Sequence, residues 1–194
     1  VKTLFVVGGR LAIICTTAAL ILALVNALTE PVIVENKRRA LEEGLLAISA
    51  QAPQGGLRLA DPLPEDMVPA EYEGLIGVYP LTSSDGNVEG YVVRLVGVGY
   101  GGELNLLAGY QTDGTLFAAR LMENQETPGL GKKAENEAYM AKFMGTGGSE
   151  AVPTSRTDLE GPDADAVTGA TITFLGVANA LAEGADFVAS LGRR

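Results

Sequence analysis

Residues 163–179 read DADAVTGATITFLGVAN. An acidic, turn-forming run passes through Thr168, Gly169, Ala170 and Thr171, and an apolar pattern of helical period follows at once. Phe174, Leu181 and Val188 stand seven apart, with Ala178 and Ala185 between them, so the spacing predicts an amphipathic helix over 173–191. The two threonines just ahead of it have two readings. In the plain one, Thr168 or Thr171 caps the helix, its oxygen accepting a free backbone N–H for about 0.5–2 kcal/mol. In the other, the free amides and the positive end of the helix dipole converge on one spot where a phosphate would sit, and Gly169 and Ala170 keep the approach open.

Upstream, residues 126–131 read ETPGLG. Pro128 fixes φ while Gly129 and Gly131 free the backbone, which makes a rigid, bare loop against which a flat ring can lie. Leu130 offers an apolar face, Glu126 and Thr127 offer hydrogen-bonding groups, and Lys132 and Lys133 are candidates to face a phosphate. The competing reading is an ordinary turn ahead of a helix over 134–144, whose Tyr139, Met140, Phe143 and Met144 share one face and read as core. The GYGG at 99–102, with Tyr100, is either a border of the same pocket or a strand end.

Between residues 72 and 122 the pattern changes to short β-like runs: LIGVYPL, VEGYVVRLVGVGYGG, LNLLAGYQ and TLFAARLM. Thr112-Asp113-Gly114 between the last two is a hairpin turn signal. The expected class is α+β, a mostly antiparallel sheet packed by helices, over 70–194. Residues 51–69 hold four prolines and a glycine pair, which is loop chemistry. Ahead of that loop, Pro31 is a helix-compatible opener, with Val34, Leu41, Leu45 and Ile48 at helical spacing, so 30–69 reads as a juxtamembrane helix and linker.

Residues 11–28, LAIICTTAALILALVNAL, carry no charge. At ~1.5 Å per residue they cover about 27 Å against the ~30 Å of a bilayer core, and the apolar run 4–9 extends them if Arg10 snorkels. Residues 1–29 are therefore expected to be a single transmembrane anchor. A signal peptide, with Lys2 and Arg10 as its basic front, is the rival, but its apolar region usually runs only ~7–15 residues. Lys2 and Arg10 on one side and Lys37, Arg38 and Arg39 on the other leave the orientation open.

Residues 30–194 hold all 24 acidic side chains and 12 of the 14 basic ones, a net charge of −12, which argues against nucleic acid as a partner. The single cysteine, Cys15, lies inside the apolar run, so disulfides are excluded. Histidine is absent, which removes Ser-His-Asp chemistry and imidazole metal ligation. No metal site and no complete active site is expected in this chain alone.

The run from Asp165 to Thr171, DAVTGAT, resembles the D-x-x-[ST]-G-A-T signature of FMN-binding subunits of Rnf-type ferredoxin:NAD oxidoreductases and sodium-pumping NADH:quinone oxidoreductases. ETPGLG resembles their second flavin motif, and NALTEPVIVENKRRAL resembles their juxtamembrane start. The short length, with one span, fits the Rnf-type G subunit better than the longer C subunit of the quinone-reducing pump. The resemblance implies FMN joined through its phosphate to Thr171 by a separate flavin transferase. Thr168, Gly169, Ala170, Thr173, Glu126, Thr127, Gly129, Leu130, Gly131, Lys132 and Tyr100 would then surround the cofactor. It further implies an electron-carrying subunit beside other membrane subunits of a complex that couples ferredoxin:NAD oxidoreduction to Na⁺ or H⁺ translocation, with the flavin domain on the periplasmic or extracellular side. Relatives commonly place a histidine shortly before ETPGLG, where this chain has Asn124 and Gln125. The alternatives are a C-type flavin subunit of the quinone-reducing pump, a cleaved secreted flavoprotein, and a membrane-tethered scaffold without flavin.

Overall fold

The computed structural model describes residues 2–192; Val1 of the expected anchor and Arg193 and Arg194 of the expected domain lie outside the described residues. The chain divides into two compact units, 1–41 and 42–194.

The first unit is formed by helix α1 (Lys2–Ser49), which continues into the second. Pro31 lies inside this helix and does not open a new one. The missing donor of a proline removes one bond to the carbonyl four residues back, and the long apolar run carries the helix past that loss. Ile13, Leu20, Leu22 and Leu28 are exposed along it. Thr17 Oγ1 donates to the Ile13 carbonyl (2.8 Å) and Thr29 Oγ1 to that of Val25 (2.9 Å). Such internal acceptors satisfy hydroxyls where no water is present.

The second unit is built on a five-stranded sheet, every pair antiparallel, in the order β1-β2-β3-β4-β5. The strands are β1 (Arg58–Leu59), β2 (Leu75–Thr82), β3 (Val88–Val98), β4 (Glu103–Gln111) and β5 (Leu116–Glu123). The hairpin signal at 112–114 joins β4 to β5: Gly114 has φ +91°, its N–H bonds the Gln111 carbonyl (3.0 Å), and Asp113 Oδ1 accepts from the Thr115 N–H (2.8 Å). The two-residue β1 was not expected, since so short a run sits inside the proline-rich loop without a period of its own.

Helix α4 (Thr171–Leu191) covers one face of the sheet, chiefly β3 and β4. Phe174, Ala178, Leu181, Ala185 and Val188 are all buried, as the sevenfold spacing predicts. At about 1.5–3 kcal/mol for each large apolar side chain removed from water, this stripe is what fixes the helix to the sheet. Tyr110 Oη donates to the Leu181 carbonyl (2.8 Å) in that core, and burial first, then the Glu183 charge, push its pKa well up. The front of α4 is held very close to the end of β3. A Cβ on Gly176 would meet the Val98 carbonyl, and one on Gly97 the Gly176 carbonyl. On the other face, within the second unit, the end of α1 buries Leu45 and Ile48, with Gly44 against Leu107 and Met122.

The expected continuous helix over 134–144 is absent. A 3-10 turn (Gly131–Glu135), a short helix α2 (Glu137–Met140) and a second 3-10 turn (Ala141–Phe143) take its place. Asn136 is extended (φ −81°, ψ 133°); its backbone N–H closes the first turn on the Lys133 carbonyl (3.1 Å), and its Oδ1 accepts from the Ala138 N–H (3.0 Å) to start α2. Tyr139, Met140 and Phe143 are buried and Met144 is half-buried, and Phe143 stacks on Phe174 with centroids 5.7 Å apart. The last short helix, α3 (Gly161–Ala166), leads into the turn before α4.

Candidate functional site

The approach to α4 is set residue by residue. Val167 is fully buried, the Thr168 N–H bonds the Asp165 carbonyl (3.1 Å), and the Ala170 N–H bonds the Val167 carbonyl (3.2 Å). Between them Gly169 takes φ +84°, a left-handed turn that costs a side-chain-bearing residue dearly. Arg156, on a 3-10 turn upstream, donates from Nε to the Ala164 carbonyl (3.0 Å) and lies 3.8 Å from Asp165, holding this corner from outside. Asp165 bonds no backbone amide and is exposed, so the brace in this segment is Arg156.

Neither threonine caps the helix. Ala170 is the cap residue and no side chain bonds there. Thr168 Oγ1 donates backward to the Ala164 carbonyl (3.2 Å). Thr171 is the first residue of α4 and is exposed, and Thr173 is buried. The first intrahelical bond is from the Phe174 N–H to the Ala170 carbonyl (3.0 Å), which leaves the amides of Thr171, Ile172 and Thr173 without helix partners.

Those amides open on a cleft of about 520 Å³, within the ~300–1,000 Å³ of small-molecule sites. One wall is Gly169, Ala170, Thr171, Ile172 and Thr173. The other is Glu126, Thr127, Leu130 and Gly131, with Tyr100 from the β3–β4 turn. The Thr127 carbonyl accepts from the N–H groups of Leu130 (3.2 Å) and Lys132 (3.3 Å), which folds ETPGLG into a tight turn. Tyr100, Leu130 and Ile172 are 74%, 45% and 52% exposed, large apolar surface left at the cleft in a domain that buries most of its other large apolar side chains. Ile172 was not singled out from the sequence. Its exposed place next to Thr171, off the apolar stripe, was the available signal.

Glu126 is 4% exposed. It accepts from the Gly101 N–H (2.9 Å) and from Thr173 Oγ1 (2.7 Å), tying the β3–β4 turn, the ETPGLG loop and the first turn of α4 together. Asn124 Oδ1 accepts from the Glu126 N–H (3.0 Å) while its Nδ2 donates to Glu135 (2.9 Å), so this residue braces the loop. Behind the wall, Tyr139 Oη is the one buried side-chain polar atom without a hydrogen-bond partner among the described residues. Burial, then the nearby Glu126 charge, raises the pKa of this phenol.

Four of the candidate residues, Lys133 among them, do not line the cleft. Thr168 faces α3, Gly129 supplies the φ +79° of the loop turn, and Lys132 points to Glu135 at 3.7 Å.

A cleft with free helix-end amides, a bare glycine turn and exposed apolar flanks fits a flat ring carrying a phosphate. Residues 99–186 match the FMN-binding domain family, a stretch that runs from the β3–β4 turn through most of α4. The chain is 33% identical over 170 residues, 86% of itself and 75% of the relative, to the G subunit of the ion-translocating oxidoreductase complex of Cereibacter sphaeroides. It is 30% identical to the G subunit of the same kind of complex in Methanosarcina acetivorans over 183 residues, 93% of this chain and 92% of the other. With the G subunit of the Na(+)-translocating ferredoxin:NAD(+) oxidoreductase complex of Acetobacterium woodii it shares 31% over 178 residues, 89% and 85% of the two chains. The chain belongs to the family of G subunits of ion-translocating oxidoreductase complexes. It is membrane-anchored through α1, whose long apolar stretch is exposed throughout; α4 is apolar too but mostly buried, a core helix.

Proposed function

We propose that this chain is the electron-transfer subunit that carries covalent FMN in a membrane complex coupling ferredoxin:NAD⁺ oxidoreduction to Na⁺ or H⁺ translocation. The name of the Acetobacterium woodii relative and the FMN-binding domain support that activity. The observation that carries the residue assignment is the uncapped start of α4 at the cleft, with the exposed Thr171 hydroxyl in its first turn.

The amides of Thr171, Ile172 and Thr173 hold the phosphate, helped by the helix dipole. Thr171 Oγ1 is the atom esterified. Gly169 and Ala170 admit the phosphate closely, and Leu130, Gly131, Tyr100 and Thr127 flank the ring, with Glu126 and Thr173 at the buried junction. Thr168, Gly129 and Lys132 support the site from outside. A threonine hydroxyl is a weak nucleophile and the chain has no histidine to activate it, so a separate flavin transferase makes the bond. FMN, when bound, supplies two-electron acceptance and one-electron release; the protein sets its position and electrostatics. Residues 1–29 anchor, 30–69 link, and 70–194 carry the flavin on the periplasmic or extracellular side. The tether keeps that domain at high effective concentration beside the other membrane subunits.

Intact mass of the chain from its native host tests the reading. An added mass of FMN less water, mapped to the peptide holding Thr171, is expected. Thr171→Val is expected to abolish flavin fluorescence of the denatured band and Thr168→Ser to keep most of it. A fluorescent denatured Thr171→Val band would overturn the assignment.

A further inference from the structure

Glu126 is the only carboxylate on the cleft wall among the described residues, and the fold is shaped tightly around it. A Cβ on Gly99 would meet Glu126 Oε1, and one on Gly131 would meet Glu126 Oε2 and Thr173 Oγ1. A Cβ on Gly101, whose N–H bonds the carboxylate, would meet the Gln125 carbonyl. Both hydrogen-bond partners donate to the carboxylate, an arrangement suited to the ionised form, which only accepts. Among the described residues no lysine or arginine forms an ion pair with it. A buried carboxylate without a cation carries a desolvation cost that a neutral side chain bridging the same loops would avoid. Bracing alone does not call for a charge at this position. What the charge does reach is the cleft, which is partly screened from water, so that the interaction falls off less than it would in bulk.

We propose that Glu126 is a redox-tuning residue: its buried carboxylate charge holds FMN in the cleft at a lower midpoint potential than an uncharged wall would. Two electrons from the reductant with one proton taken up from solvent leave one added negative charge on the flavin, and a fixed negative charge on the cleft wall opposes that gain. This rests on the cleft being the FMN site.

The experiment is a spectrophotometric redox titration of the full-length chain, loaded with covalent FMN by a flavin transferase and purified in detergent, with dithionite as reductant and soluble mediators. In Glu126→Gln, which keeps the shape without the charge, its oxygen accepting from the Gly101 N–H and its amide nitrogen donating to Thr173 Oγ1, the ratio of reduced to oxidised flavin at the wild-type midpoint is expected to rise about tenfold, which for a two-electron couple is ~30 mV. Glu126→Asp, which keeps the charge, is expected to stay within about threefold of wild type on the same scale. An unmoved potential in a fully loaded Glu126→Gln protein overturns the inference and reduces Glu126 to a brace. If that variant does not accumulate with flavin, Thr173→Val decides. Removing a donor leaves the charge less neutralised, so the ratio is expected to fall, and an unchanged ratio overturns the inference. Wild-type protein with no flavin mass strikes the FMN reading itself, a result distinct from either.

Discussion

Two helix starts in this domain are built in opposite ways. The 3-10 turn Arg156–Asp158 begins with a full capping box: Ser155 Oγ accepts from the Thr157 N–H (3.3 Å) and Asp158 Oδ2 accepts from the Ser155 N–H (2.8 Å). Helix α4, the longest helix of the domain, begins with Ala170 and no side-chain cap, although threonines stand at 168, 171 and 173. Thr168 turns back to α3 and Thr173 turns inward to Glu126. Helix α3 also lacks a side-chain cap, but Pro162 in its first turn removes one donor. The difference teaches that a three-residue turn away from the cleft is given every available cap, while a 21-residue helix forgoes about 0.5–2 kcal/mol at a start that opens on the cleft, as does the 3-10 turn Gly131–Glu135 on the opposite wall. That is the pattern expected if a ligand anion completes the helix.

The sharpest way to break the comparison is to give α4 a cap. In Ala170→Asp the new carboxylate bonds the free amides and occupies the anion position. The flavin-free domain is expected to gain about 1 kcal/mol, a melting shift of ~2–4 °C, while covalent FMN falls about tenfold or more. Thermal unfolding and the fluorescence of the denatured band read the two effects separately. A stabilised protein with full flavin loading would show that the open amides do not serve the phosphate.

A smaller change tests the opposite wall. Gly131→Ala places a methyl group on the Glu126–Thr173 hydrogen bond, and overpacking of this kind costs ~1–3 kcal/mol. A lower denaturation midpoint together with a several-fold loss of flavin is expected, because the bond it displaces joins the loop to α4. Loss of stability with full loading would separate the loop from the site.

Much of this was legible in the sequence, and the exceptions have physical causes. The four main strands and the buried stripe of α4 follow from period and turn chemistry, which act over a few residues. The break at Asn136 was hidden because Tyr139, Met140 and Phe143 keep helical spacing across two kinds of turn. The composition around Thr168 and Thr171 favours a cap, and only the direction of each hydroxyl shows that no cap is made. Glu126 meets Gly101 because β4–β5 pairing brings the chain after Glu123 beside the β3–β4 turn, and it meets Thr173 across 47 positions, so neither contact is marked in the local sequence. Lys132 looked suited to a phosphate by charge alone, but its neighbour Glu135 one turn on takes it.

The smallest effect is expected where the comparison predicts no functional consequence at all. Ser155→Ala removes the capping oxygen from the Thr157 N–H and leaves Asp158 bonded to the Thr154 and Ser155 amides. The expected cost is about 1 kcal/mol, read as a lower urea midpoint with an unchanged slope, and flavin loading stays at the wild-type level. The two variants then move in opposite senses: a cap lost at 155 weakens the fold and spares the flavin, and a cap gained at 170 strengthens the fold and excludes it. If Ser155→Ala also lost flavin in proportion to its stability, loading would be reporting the general integrity of the domain. The open start of α4 would then have no special claim on the phosphate.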